Sequence, residues 1–293
     1  MKPYIDLHTH STCSDGLLSP AALVDLAARR GLAAIALTDH DTVAGLPEAI
    51  AHGRESGVEV IPGIEIGAEA LRLSLHILGY GFNQKHPGLL AFIARLQQAR
   101  EARNRSMIEK LATLGIRMPY EQLTAMAGDQ AGRPHFARLL VKHGHAADSQ
   151  DAFSRFLKRG APAFIAQVKP TAEEAITRIN EAGGLAVIAH PGSSDPGLEK
   201  IPGIIPTLKE YGLAGMEIFY PTHSKKIIRL LQGLAEQYGL LPTGGTDYHG
   251  DSHSLTPLGG NAKTIRIPLS VLAGLKTRLA EASARVAENI GIA

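Results

Sequence analysis

Apolar and polar positions along this chain follow two periods, and the places where one gives way to the other divide it into parts. Tyr4 to His8 alternates as a short strand does. Ser19-Pro20 then opens a helix, with Ser as N-cap and Pro at the first helical position; Ala21, Leu23, Val24 and Ala27 keep helical spacing, and Gly31 closes the run. Ala33 to Leu37 reads as a buried strand and Leu46 to Glu55 as a helix. Val58 to Ile61 is a strand leading into Pro62-Gly63-Ile64-Glu65, and Leu71 to Tyr80 is another. This rhythm predicts parallel strands joined by helical crossovers.

Between about Pro87 and Ala161 the rhythm lapses into helical patterns: Leu89 to Leu114, Tyr120 to Ala127, Pro134 to His143 and Ser149 to Arg159. It resumes with a helix over Thr171 to Ala182 and strands at Leu185 to Ala189, Gly215 to Phe219 and Leu241 to Thr243. Helices Ile204 to Tyr211 and Ser224 to Tyr238 separate these strands, and Leu269 to Val286 ends the pattern. The expected fold is α/β, a distorted TIM-like barrel of about seven strands. Residues 1–86 and 162–293 would form the barrel, and 87–161 an all-helical insertion.

Composition adds limits. A chain with 44% hydrophobic and 20% charged residues has the makings of a soluble globular enzyme with a sizeable core. No apolar run reaches the ~20 residues that span a bilayer, so no membrane partner is expected. The N-terminus enters a strand at once, so no signal peptide is expected, and a single cysteine, Cys13, excludes an intrachain disulfide framework. The expected place is a reducing cytoplasm, and no obligate protein partner is evident. Charge is unevenly spread: Arg95 to Arg159 holds twelve Lys and Arg against six Asp and Glu, whereas the whole chain is only +2. An acidic barrel suits cations and a basic insertion suits an anionic ligand, although solvated helix faces would look the same residue by residue.

The candidate chemistry sits where strands end. His8 and His10 lie two apart on the first strand, so both imidazoles point the same way. Asp15 follows in a turn, His40 closes the second strand in Thr38-Asp39-His40-Asp41, Glu65 the third, and His76 lies within the fourth. His190 ends the Leu185 strand, and Asp247 and His249 follow the Leu241 strand. In a parallel barrel the C-terminal strand ends share one face, so these residues converge. Six histidines and three carboxylates gathered there are nitrogen and oxygen ligands for borderline divalent ions. No Ser-His-Asp order or Walker-type loop competes with them.

Taken in order, Asp6-Leu7-His8-Thr9-His10, Asp15-Gly16, Leu37-Thr38-Asp39-His40-Asp41, Gly63-Ile64-Glu65, His76-Ile77-Leu78-Gly79-Tyr80, Ala189-His190-Pro191 and Gly245-Thr246-Asp247-Tyr248-His249 resemble the motifs of the PHP (polymerase and histidinol phosphatase) superfamily. Within it, the helical insertion with Gly132-Arg133-Pro134-His135 is similar to that of the 3′,5′-nucleotide bisphosphate phosphatases. The resemblance implies a distorted seven-stranded barrel and three divalent ions, manganese first, with iron or zinc as alternatives. It also implies a partition. The first ion takes His8, His10, Glu65 and Asp247; the second shares Glu65 and adds His76 and His190; the third takes Asp15, His40 and His249.

The activity expected is metal-dependent removal of the 3′-phosphate from a nucleoside 3′,5′-bisphosphate. His223 is a candidate general acid or a phosphate-binding residue. Asp41 is a weaker candidate acid, or a helix cap for a segment starting near Thr42. Arg133 and His135, at a helix start, are expected to grip phosphate, with Arg103, Asn104 and Arg105 as a second anion cluster. Lys158 and Arg159 read as a charged helix end, and His52, His86, His143, His145 and His253 as ordinary surface or packing histidines. The alternatives are a 5′→3′ exoribonuclease on short RNA, a C–N amidohydrolase, and a non-catalytic nucleotide-binding or polymerase-associated module.

Overall fold

A computed structural model of the chain describes residues 4–127, 131–252, 254–261 and 263–290; His253 lies outside them. Eight strands form one sheet: β1 (Tyr4–Thr9), β2 (Leu32–Leu37), β3 (Glu59–Ala70), β4 (Leu73–Tyr80), β5 (Leu185–Ile188), β6 (Gly215–Phe219), β7 (Leu241–Gly244) and β8 (Ile267–Pro268). Their spatial order is β7-β6-β5-β4-β3-β2-β1-β8. The ends of that order approach each other, because Tyr248, just past β7, bridges Thr9 of β1, and the His10 N–H donates to the Tyr248 carbonyl at 2.9 Å. The result is the expected α/β barrel, nearly closed.

Two departures from the expected topology matter. The third strand continues through Glu65 to Ala70, and only Leu71 and Arg72 separate it from β4. Both residues have positive φ (47° and 66°), and a two-residue connection can make a hairpin but not a crossover. Strand β4 is therefore antiparallel to both β3 and β5. The second departure is β8, antiparallel to β1 and two residues long, too short to carry an alternation signal.

Apolar material fills the barrel from below. Ile5, Leu7, Leu78, Tyr80 and Val187 form one cluster with Leu272 and Leu275 of the C-terminal helix Leu269–Ile290. It crosses the barrel interior, since β1 and β4 are not sheet neighbours yet the Tyr80 hydroxyl donates to the Leu7 carbonyl at 2.7 Å. A larger cluster packs the outer strand faces against the helices, including Leu23, Val24 and Ala27 of helix Pro20–Arg29. Ser19 caps that helix by accepting from the Ala22 N–H.

The segment between β4 and β5 is helical: Pro87–Thr113, Tyr120–Ala127, Arg133–Lys142 and Ser149–Ala152, the last running into a single π turn at Phe153–Leu157. From Met107 to Ala163 it has a core of its own, built on Leu111, Leu123, Phe136 and Leu140. Earlier side chains of the long helix, Leu89, Phe92, Ile93 and Leu96, belong to the barrel core. The first half of that helix thus anchors the rest.

Closure depends on one buried carboxylate. Asp6 accepts from the Thr246 N–H (2.9 Å), the Thr246 hydroxyl (2.5 Å) and the Gly259 N–H (2.8 Å), which ties β1 to the chain beyond β7. Burial pushes its carboxyl up to about 6, while these donors pull the other way. Asp6→Ala is expected to cost about 2–4 kcal/mol in urea unfolding, since it strands buried donors. A loss below about 0.5 kcal/mol, within the usual range for inert surface changes, would reject Asp6 as the closing group.

Candidate metal centre

The end of β1 supplies two fully buried imidazoles. Because residues two apart on a strand share a face, His8 and His10 both aim Nε2 at the same pair of carboxylates. His8 Nε2 lies 3.3 Å from Glu65 and 3.3 Å from Asp247, and His10 Nε2 lies 3.3 Å and 3.1 Å from them. Glu65 comes from the middle of β3, where His40 bridges it across the end of β2. Asp247 comes from the chain past β7, at a positive φ of 54°. Gly245 permits that approach, since a Cβ there would stand 2.2 Å from the His8 Cβ.

Among the described residues, three groups of donor atoms each lie within 4.8 Å: His8, His10, Glu65 and Asp247; His10, Asp15, His40 and His249; and His40, Glu65 and His76. His190 joins through Nε2, 3.0 Å from Glu65. His76 reaches this face because β4 runs antiparallel: its early residues lie level with the C-terminal ends of the neighbouring strands, as the Ile77–Ile188 pairing shows. All nine expected ligand residues therefore come together. Their grouping differs in detail from the inherited partition, with His10 also beside Asp15 and His40 also beside Glu65.

This donor set fits divalent cations. Buried atoms without a hydrogen-bond partner include His8 Nε2, both ring nitrogens of His10, Glu65 Oε2, Asp247 Oδ1 and His190 Nδ1. Buried polar atoms are ordinarily satisfied, and here His8 Nε2, His10 Nε2, Glu65 Oε2 and Asp247 Oδ1 face one another across a shared centre. Electrostatics agree. Burial works against a charged His10, yet Asp247 and Glu65 hold it up at about 10. Burial lowers His40 to about 4 despite Glu65 and Asp15. Buried carboxylates this close need positive charge between them; protons on rings such as His10 supply it here, and a divalent cation would supply it with the rings neutral, the form in which imidazole ligates metal.

Comparison with known proteins agrees with the donor set. The PHP domain model matches residues 6–169. The chain belongs to the PHP family. A Haemophilus influenzae protein named 5′-3′ exoribonuclease is 36% identical over 244 residues, covering 83% of this chain and 89% of its own. A Chromobacterium violaceum protein named 3′,5′-nucleoside bisphosphate phosphatase is 35% identical over 247 residues, covering 84% and 87%. A Bifidobacterium adolescentis crystal structure assigned as a metal-dependent phosphoesterase superposes with a TM-score of 0.83 at 28% identity, covering 94% of this chain and 96% of that one. The protein is a metal-dependent phosphoesterase, and none of its described helices is long and apolar enough to cross a membrane.

Around the PHP donors stands a layer that motif reading passed over. Glu217, fully buried on β6, lies 3.2 Å from His8 Nδ1 and accepts from the His190 N–H at 2.7 Å, so it orients two ligands at once. Its signal in the sequence was a lone acidic residue inside an apolar strand, Gly215-Met216-Glu217-Ile218-Phe219. Asp39 accepts from the Ser11 N–H, the Ser11 hydroxyl and the Ser14 hydroxyl, each at 2.7 Å, and so shapes the loop that carries Asp15. The Tyr220 hydroxyl donates to Asp247 at 3.0 Å.

A cleft of about 180 Å³ opens beside Asp15, His40 and His76, and its far wall carries Arg100, Arg103, Arg133 and Lys169. Of the expected substrate residues, Arg133 and His135 line it, His135 with Nδ1 accepting from the Gly132 N–H. Burial lowers His135 to about 4, so it faces the cleft neutral. Arg103 lines it as well, braced by Asn104 (2.6 Å) and Gln167 (2.9 Å). Asn104 itself is turned to the Ala131 carbonyl, which makes it a brace. Arg105 does not belong: it is exposed, pairs with Glu101 at 2.7 Å and lies over the Tyr120 ring. Four residues away along the helix from Glu101, it finds a partner there before any ligand could.

Both expected acids are engaged by neighbours. His223 Nδ1 donates to the Ile218 carbonyl (2.8 Å), and Nε2 accepts from the Gly192 N–H (3.2 Å), so backbone groups meet both ring nitrogens. Burial also lowers its pKa. Asp41 caps no helix, since the next one starts at Leu46 with Gly45 as N-cap. Its carboxylate pairs with Arg100 and its carbonyl accepts from Gln97, linking the strand end to the long helix. Among the remaining histidines, His86 caps that helix and His52 pairs with Asp25.

Removing the metal ions is expected to abolish phosphoester hydrolysis, with recovery on adding back a divalent ion. Glu65→Ala should lose more metal per folded chain than His249→Ala, as measured by elemental analysis, because Glu65 belongs to two donor groups and His249 to one. Equal losses would refute the shared role of Glu65. Glu217→Gln should weaken metal affinity by roughly 10–100-fold while leaving the far-UV spectrum intact.

Proposed function

We propose that this enzyme removes the 3′-phosphate from nucleoside 3′,5′-bisphosphates and releases 5′-mononucleotides. The observation that carries the reading is the cleft wall of Arg100, Arg103, Arg133 and Lys169 beside the donor groups. Arg100 is paired with Asp41, and a second phosphate on the same nucleotide would match the charge that Arg103, Arg133 and Lys169 bring to the cleft. The Chromobacterium relative's name supports the same substrate.

The reading takes three divalent ions, manganese first, with the partition stated above; the three donor groups support that number. Ions bound there would supply hydroxide near neutral pH and neutralise phosphoryl oxygens. The chain's own residues bind and orient. Arg103, held rigid by Asn104 and Gln167, and Arg100, held by Asp41, present guanidiniums whose geometry is set before substrate arrives. Binding energy at the remote phosphate then orients the reacting one. Neutral His135, with Nδ1 occupied by a backbone N–H, offers Nε2–H as a donor.

A second reading, 5′→3′ cleavage of short RNA, is favoured by the Haemophilus relative's name and by a second cleft touching Asp15, Asp247 and His249. Phosphorus NMR separates the two. Adenosine 3′,5′-bisphosphate should yield 5′-AMP and inorganic phosphate, with 3′-AMP a poorer substrate and 5′-AMP nearly inert. Accumulation of 3′-AMP would reverse the proposed orientation. Arg133→Ala should lower kcat/KM on the bisphosphate by about 1.5–3 kcal/mol, the worth of one charge-assisted contact, with metal content unchanged. Unaltered kinetics would remove Arg133 from the binding site.

A further inference from the structure

Strand β6 lies between β5 and β7, whose ends carry donors, and contributes none of the nine donor residues itself. What it contributes is a run of side chains that hold the donors of its neighbours. Glu217 accepts from the His190 N–H and meets His8, and His223 accepts from the Gly192 N–H, two residues past His190. Tyr220, between them, reaches the other way, toward the chain past β7, and donates its hydroxyl to Asp247 Oδ2 at 3.0 Å. Its ring is fixed, being 8% exposed, with the His190 and His223 rings centred 5.3 Å and 5.2 Å away.

That bond divides the Asp247 carboxylate. Oδ2 is taken by the phenol, while Oδ1 is buried without a hydrogen-bond partner, 3.3 Å from His8 Nε2 and 3.1 Å from His10 Nε2. Glu65 is divided as well, with Oε1 beside His76 and His190 and Oε2 beside His8, His10 and His40. The group of His8, His10, Glu65 and Asp247 therefore offers a cation two nitrogens and two oxygens, one atom from each residue. Asp15 is held differently: its Oδ1 faces His249 at 3.1 Å and its Oδ2 faces His40 at 3.8 Å, so both oxygens look toward imidazoles. Tyr220 also borders the second cleft, of about 280 Å³, with Arg138 and Leu255 in its wall. On that open side Asp247 Oδ2 is engaged before any solvent or ligand arrives.

The number of oxygens a carboxylate gives bears on which cation it holds. Two oxygens from one carboxylate suit ions that gather six or more ligands, manganese among them, whereas single atoms from four residues suit zinc, which takes four. We infer that Tyr220 is a positioning residue that sets the metal preference of this donor group, holding Asp247 to one oxygen and so disfavouring manganese relative to zinc. This restrains one of the three groups, whichever phosphoester is cleaved.

The test starts from metal-free protein, dialysed against mixtures of Mn²⁺ and Zn²⁺ over a range of ratios, with bound metal counted by elemental analysis. Tyr220→Phe keeps the ring and removes the hydroxyl. The part of its exchange curve worth one ion per chain should move toward manganese by about tenfold or more, the scale on which a group hydrogen-bonded to a ligand tunes a site, with total metal retained. In an Asp247→Asn background, where the amide offers one oxygen, the same change at Tyr220 should move the curve by less than about twofold. If Tyr220→Phe does not fold, Asp247→Asn alone carries the test: it should weaken both ions and keep their ratio within about twofold. A curve that stays in place in folded Tyr220→Phe, moves toward zinc, or loses the ion outright overturns the selectivity role. A shift that survives in the Asp247→Asn background, or a changed ratio in Asp247→Asn alone, overturns it too, since Tyr220 would not then be acting by limiting Asp247 to one oxygen.

Discussion

The carboxylate of Glu65 is the centre on which the upper half of this barrel depends. It is 1% exposed, and five imidazoles surround it: His8 and His10 at 3.3 Å, His40 at 3.1 Å, His76 at 2.7 Å and His190 at 3.0 Å. A second carboxylate, Asp247, meets two of the same rings. Charge at this depth is tolerable only when matched, and each ring is turned so that its match is another member of the cluster. Every strand that contributes must end at the right height.

That requirement explains where the backbone departs from ease. Asp41, His190 and Asp247 all have positive φ, at 49°, 27° and 54°, in conformations that cost an ordinary residue of order 1–3 kcal/mol. All three lie at strand ends around the cluster. What holds them is the layer behind: Glu217 on the His190 N–H, the Glu65 carbonyl accepting from the Asp41 N–H at 3.0 Å, and Asp6 on Thr246 next to Asp247. Beneath this polar tier the barrel is apolar, plugged by the C-terminal helix. These three strained residues lie at the end of the barrel where the chemistry is, and the apolar plug fills the other end.

The helical segment adds a different kind of asymmetry. Its own core keeps helix Arg133–Lys142 rigid, and the helix start stands over the donors between two clefts of unlike chemistry. Arginines braced by Asn104, Gln167 and Asp41 keep less freedom to lose when a phosphate binds.

The barrel's alternation of strand and helix, the helical segment and all nine residues of the donor cluster were legible in the linear pattern, because period, capping residues and His-rich strand ends are local signals. The hairpin between β3 and β4 was not, since an apolar run carries no record of the direction in which its strand is paired. Glu217, Arg100, Lys169 and Arg138 were missed for a related reason: each is a single charged residue whose meaning comes from what folding sets beside it. Conversely, His223, Asp41 and Arg105 looked free in one dimension and found partners in three. Ile218 and Gly192 claim the first, Arg100 the second and Glu101 the third. The order of residues along the chain determines which groups are able to bind or react; the competition for hydrogen bonds among neighbours distant in sequence decides which of them are left to do so.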